Sequence, residues 1–160
     1  MLIARAILGN VNRDIHPTEI DYLFVEWYDT SKKVIRAVTQ AGREIGFRNL
    51  TSSHLSNGDI LYSDDDQDFC VVVQILPCPC IVFRPDDPQK MANICFEIGN
   101  RHIPIFINKQ HEVIIAYERA LLKLLARGGM EPKVEIRVIE NTNTLTIHRY
   151  ASMRKKIVLG

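Results

Sequence analysis

The side chains with the widest chemical reach in this chain are five histidines (His16, His54, His102, His111 and His148) and four cysteines (Cys70, Cys78, Cys80 and Cys95). Imidazole and thiolate are donors for borderline and soft divalent metals, so metal binding is the first chemistry to weigh. No two histidines lie within four residues of each other, and no single helix or strand therefore supplies a chelating pair. A lone imidazole becomes a metal site when a two-fold axis brings the same side chain in twice. His102 is the histidine best placed for this, because Gly99-Asn100-Arg101 ends a helical pattern just ahead of it and leaves an exposed corner. Cys78-Pro79-Cys80 reads either as a pair of thiolates for a soft metal or as small residues in an edge turn. His111 stands across a turn from His102, His16 and His54 fall in loop contexts, and Cys95 falls on the apolar face of its helix.

Catalytic signatures are missing. The sequence contains no G-x-S-x-G, H-E-x-x-H, G-x-x-x-x-G-K-[ST] or G-x-G-x-x-G. A Cys–His nucleophile pair is generic to any chain with this many of both residues. The reading is of a binding protein and not of an enzyme.

The elements that must hold these residues change character along the chain. Leu23–Tyr28, Val34–Thr39, Glu44–Arg48 and Ile60–Tyr62 are rich in β-branched and aromatic residues and are separated by turn clusters. Residues 1–68 therefore read as a small all-β domain, with Trp27 and Tyr28 on a strand. Ser63–Asp68 is a sharply acidic stretch that lacks the glycine and terminal glutamate of a calcium loop, and it reads as a solvated turn or linker. Phe69–Leu76 is an apolar run of the kind buried on both faces. Asp86-Asp87-Pro88 starts a helix on which Met91, Ile94, Cys95 and Ile98 recur at helical spacing. Strands at 102–107 and 111–116, a helix around Leu121–Leu125 and an alternating strand at 133–139 follow. The order from residue 69 is β-α-β-β-α-β, a ferredoxin-like arrangement over residues 69–140, and 141–160 is a tail. The fold class expected is α+β.

The chain has 160 residues, with 20 Lys plus Arg against 19 Asp plus Glu, a net charge of +1. Such a balance argues against binding nucleic acid through bulk charge, which relies on neutralising many phosphates. No segment approaches the roughly 20 apolar residues of a membrane helix, and the first residues do not form a secretory signal. The expectation is a cytoplasmic protein with reduced thiols. Arg149, Arg154, Lys155 and Lys156 form a basic tail that reads as solvated.

Three stretches carry a family resemblance. Cys95-Phe96-Glu97-Ile98-Gly99-Asn100-Arg101-His102-Ile103-Pro104 resembles the G-N-R-H signature of the UreE urease accessory proteins, nickel metallochaperones of urease maturation. Gly42–Leu50, continuing through Leu55–Leu61, is similar to that family's N-terminal domain, and Tyr117–Leu125 with Gly128 to its last helix. The resemblance implies a homodimer joined through the C-terminal domains, with His102 of each chain sharing one nickel ion, and zinc as a further metal that imidazole serves. It implies an N-terminal domain that engages the urease apoprotein or other accessory proteins, the GTPase among them, with no nucleic acid and no membrane involved. His148, after Thr144-Leu145-Thr146-Ile147, is the counterpart of a tail histidine that some members bring to the interfacial metal. The chain departs from the pattern in two places: its end is not histidine-rich, and Ala116-Tyr117-Glu118 stands where some members carry a histidine pair. Both departures argue against a high nickel capacity. The competing class is a ferredoxin-like module that binds RNA or a small ligand without metal, which needs exposed aromatics on the sheet face.

Overall fold

In the computed structural model, residues 1–13, 19–50, 53–64 and 66–140 are described. They form two compact units, Met1–Cys78 together with residues 137–140, and Pro79–Ile136.

The first unit is all β apart from one short 3-10 turn. Its strands are β1 (Leu2–Ala4), β2 (Gly9–Asn10), β3 (Glu19–Val25), β4 (Val34–Val38), β5 (Glu44–Arg48), β6 (Asp59–Asp64) and β7 (Phe69–Ile75). They build a three-stranded sheet in the order β1-β5-β4 and a four-stranded sheet in the order β2-β6-β7-β3. β1 runs parallel to β5, and β3 parallel to β7. The sheets share one core: Ile45 and Phe47 from β5 pack with Leu23 and Val25 from β3 and Val71, Val73 and Ile75 from β7. Alternation on β5 explains this, since Ile45 and Phe47 are buried while Glu44 and Arg48 are exposed.

A buried carboxylate ties the four-stranded sheet to the β4–β5 hairpin. Asp21 on β3 accepts hydrogen bonds from Thr39 Oγ1 at 2.6 Å, the Ala41 backbone N–H at 2.9 Å and Arg43 Nη1 at 2.9 Å. Arg43 also reaches Glu19 at 3.1 Å and stacks 4.3 Å over the Phe69 ring. Burial pushes the Asp21 carboxyl pKa up, but the Thr39, Ala41 and Arg43 donors outweigh it and hold the group below the usual carboxylate range.

The second unit comprises β8 (Cys78–Phe83), α1 (Pro88–Gly99), β9 (Phe106–Ile107), β10 (Val113–Ala116), α2 (Arg119–Arg127) and β11 (Lys133–Arg137). The sheet order β11-β8-β10-β9 is that of a ferredoxin-like βαββαβ unit, as expected. Ile81 and Phe83 on β8 and Val113 and Ile115 on β10 turn toward the helices and pack with Ile98, Leu121 and Leu125. Asp87 caps α1 by accepting from the Lys90 backbone N–H at 2.8 Å, and Pro88 occupies the first turn, which needs no N–H there.

Several sequence expectations are corrected. The apolar run at 69–76 is not the first strand of the ferredoxin-like unit. It is β7, seven residues in parallel register with β3, and β8 begins the second unit instead. The boundary therefore lies near residue 78 and not at 68/69. Run 69–76 is apolar on both sides because β7 lies inside its sheet: Val71 and Val73 face the shared core, while Cys70 and Val72 pack with Ile60, Val11, Ile20 and Tyr22. Of the acidic stretch, Ser63 and Asp64 close β6 and residues 66–68 form the expected turn into β7, where the Gln67 N–H donates to Asp64 Oδ1 at 3.0 Å. Trp27 and Tyr28 lie in a 3-10 turn and not on a strand, because Thr30 Oγ1 caps the Trp27 carbonyl at 2.7 Å. Strand 102–107 shrinks to Phe106–Ile107, since Pro104 has no N–H to pair. Strand 133–139 stops at Arg137, with Val134 and Ile136 exposed where a half-buried face was expected.

Candidate metal site at the end of the first helix

α1 ends in a tight succession of bonds. The Asn100 N–H donates to the Phe96 carbonyl at 2.9 Å, Arg101 N–H to Ile98 at 3.0 Å and His102 N–H to Gly99 at 2.9 Å. His102 itself adopts a left-handed backbone, with φ of 58°. That conformation costs an ordinary L-residue about 1–2 kcal/mol, and such strain gathers where a side chain is held for a purpose. The turn leaves Asn100, Arg101 and His102 exposed on one corner. Phe96, on the last turns of the same helix, is 68% exposed. It drops off the inward stripe because Met91, Ile94, Cys95 and Ile98 take the positions facing the core. Phe96 is the neighbour that the sequence reading overlooked, although its helical phase already separated it from those four.

The other candidates lie elsewhere. His111 also has a left-handed backbone, φ 61°, but belongs to the β9–β10 turn, which Asn108 organises through bonds to Gln110, Glu112 and His111. It lines a cavity of about 530 Å³ with Arg84, Asp86, Asp87, Pro88 and Met91. That cavity sits at the N-terminal end of α1, whereas His102 follows its C-terminal end; a helix of 12 residues is about 18 Å long. The structure does not bring the two histidines together.

Cys78 and Cys80 lie on β8, which sits between β11 and β10, so they are not in an edge turn. Cys80 is buried, and Cys78 only partly so. Cys95 is half-buried with its Sγ 3.8 Å from Met91 Sδ, and burial pushes its thiol pKa up, as it does for Cys70. Both are disfavoured as thiolate ligands. His54 is exposed in the first unit. His16, His148 and the basic residues Arg149, Arg154, Lys155 and Lys156 lie outside the described residues. Among the described residues, no group of three or more His, Cys, Asp or Glu side chains is arranged to hold a metal ion. Within one chain, His102 is a single exposed donor.

Residues 4–74 match the model of the UreE urease accessory protein N-terminal domain, and residues 78–150 that of its C-terminal domain. The chain belongs to the UreE family of urease accessory proteins. The urease accessory protein UreE of Acetivibrio thermocellus is 33% identical over 132 residues, covering 82% of this chain and 84% of that protein. That of Flavobacterium johnsoniae is 35% identical over 130 residues, covering 80% and 77%. That of Helicobacter pylori is 31% identical over 151 residues, covering 91% and 87%. The UreE domain boundary implied by the two matches, between residues 74 and 78, coincides with the end of β7 and the start of β8. Among the described residues, no helix is long and apolar enough to cross a membrane.

Proposed function

We propose that this protein is a nickel metallochaperone that delivers the ion to apo-urease during assembly of the urease centre, working as a carrier and not as a catalyst. The observation that carries the reading is His102, an exposed imidazole on a left-handed corner that follows a helix whose last turns also expose a phenylalanine. One imidazole holds a divalent ion weakly; two related by a two-fold axis make a chelate, and Phe96 supplies apolar area for the contact that brings them together. The ferredoxin-like unit is accordingly the metal-binding and dimerisation domain, and the β unit is the domain that meets the urease apoprotein or other accessory proteins, including the GTPase, in the cytoplasm. Two imidazoles leave coordination positions open. His148 from the tail at 141–160 fills one of them and tunes affinity and metal choice. Imidazole serves zinc as well as nickel, so zinc competes for the site.

The rival reading, a metal-free module for RNA or a small ligand, finds no support on the sheet. The side of the sheet turned away from the helices carries Cys80, Val82, Ile114 and Ala116 in register with Phe106 on β9, and that ring is buried, so among the described residues this face offers no exposed aromatic for a base.

Calorimetric titration with nickel and with zinc, alongside a measured mass, tests the proposal. One tight ion per dimer, lost in His102→Ala, is the expected result. One ion per monomer, or unchanged binding by the variant, refutes it.

A further inference from the structure

Cys78-Pro79-Cys80 takes no part in the nickel chemistry proposed for His102. On β8, Ile81 and Phe83 pack with the helices, so strand alternation turns Cys80 and Val82 to the opposite side of the sheet, and Cys78 with them. Two thiols therefore stand two residues apart on one face of one strand. Cys80 is fully buried and Cys78 is half-buried, so the pair runs from the surface inward. Pro79 between them has its φ fixed by its ring, and its carbonyl accepts the Tyr117 N–H at 2.9 Å. The backbone that spaces the two sulfurs is thus held at its middle residue.

That spacing suits few chemistries. Same-face neighbours on a strand are about 6.4–6.8 Å apart, whereas a disulfide needs its Cβ atoms roughly 3.5–4.5 Å apart. The two residues are thiols and are not joined. An ion set between two sulfurs spans the gap without bending the strand. Zinc and nickel ask for more ligands than two, and among the described residues no third His, Cys, Asp or Glu joins the pair. Cross-strand register sets Ala116 beside Cys80 and Ile114 beside Val82, so β10 adds no nitrogen or oxygen side chain on this face. Copper in its +1 state differs: it is soft, selects thiolate, and is satisfied by two ligands in a line.

We infer that Cys78 and Cys80 form a two-coordinate site for a soft monovalent ion, Cu(I), separate from the nickel site. Binding is coordination without electron transfer: one Cu(I) displaces the two thiol protons, and a bis-thiolate complex with one net negative charge results. Cys78 meets the arriving ion, and Cys80 closes the pair from the buried side. Cys70 on β7 and Cys95 on α1 belong to other elements and take no part. His102 is likewise not required, because it follows α1, which packs on the opposite side of the sheet.

The test titrates the full-length chain, reduced and without oxygen, into the Cu(I) complex of bathocuproine disulfonate, whose colour is lost as the protein takes the ion. One Cu(I) per chain should transfer, and X-ray absorption should show copper held by two sulfurs alone. Cys78→Ser, a small change at a half-buried position, should lower the affinity by about 100-fold or more, beyond what disturbing a ligand's outer shell costs. Cys80→Ala, which leaves no polar group in the buried position, should lower it as much. Cys95→Ala and His102→Ala should take up copper like the unaltered chain, and Cys78→Ser should keep its nickel binding, so the two sites fail independently. The inference is overturned if the unaltered chain leaves copper with the chelator, if Cys78→Ser competes as well as the unaltered chain, or if the absorption spectrum shows nitrogen ligands.

Discussion

Replacing Asp21 by Asn tests the account of how the β unit is held together. The Asp21 side chain is 1% exposed, and its two oxygens accept three donors, from Thr39, Ala41 and Arg43. An asparagine keeps one acceptor, which can serve the Ala41 N–H. Its amide then faces the Thr39 hydroxyl and the Arg43 guanidinium. The hydroxyl can rotate to accept, but the guanidinium has only donors to offer. The substitution removes a hydrogen bond between charged groups, worth about 1.5–3 kcal/mol, and strands a donor against a donor for about 1 kcal/mol more. The expected loss is about 2–4 kcal/mol, or a fall in Tm of about 10–20 °C for a unit of this size. Trp27 is the only tryptophan in the chain and packs on the core of this unit, so its fluorescence reports the transition specifically.

The same carboxylate sets an acid dependence. Its pKa is lowered in the folded state, so the stability it contributes is fully present above the unfolded value of about 3.9 and is lost as pH falls through the lower folded value. The unaltered chain should therefore lose stability below about pH 4, and Asp21→Asn should show a flatter profile over that window. A Tm within about 2 °C of the unaltered chain, or an identical acid profile, would refute the reasoning.

His102→Gly should abolish tight nickel binding while leaving Tm unchanged or slightly raised, because glycine relieves the left-handed backbone at φ 58°; a fall in Tm of several degrees would show that the imidazole is structural. Phe96→Glu should shift the mass toward monomer at micromolar concentration and weaken nickel binding with it, and a variant that stays dimeric would remove Phe96 from the interface. Truncation after Glu140 should reduce nickel affinity measurably without eliminating it; identical binding would leave His148 without a role. Cys78→Ala with Cys80→Ala should retain nickel affinity, and its loss would relocate the site to the thiols.

Element types were legible where the signal is local. Asp87-Pro88 starts α1 by a cap and a residue that needs no N–H, and Gly99-Asn100 ends it, all within the helix and its flanks. Glu44–Arg48 alternates cleanly because one face meets the core and the other meets water. The run at 69–75 misled for a reason of the same kind. An apolar stretch records that both faces of a strand are covered but not by which sheet, and the parallel pairing of β7 with β3 joins residues about fifty positions apart. Asp21 was equally silent, since its three donors lie 18 to 22 residues downstream.

By itself, the sequence determined which residue types could bind a metal, where the first helix begins and ends and where the second one stops, and that His102 follows a helix stop in a family-specific run. Those properties are set by nearest neighbours, by spacing, and by covalent chemistry. Only the tertiary structure decided that the units divide at residue 78, that His102 is held left-handed and exposed while His111 lies at the other end of α1, and that Asp21 is a buried ion and not a surface one. Each of these depends on what a side chain meets after distant segments pair, and pairing is chosen by the burial of whole strand faces.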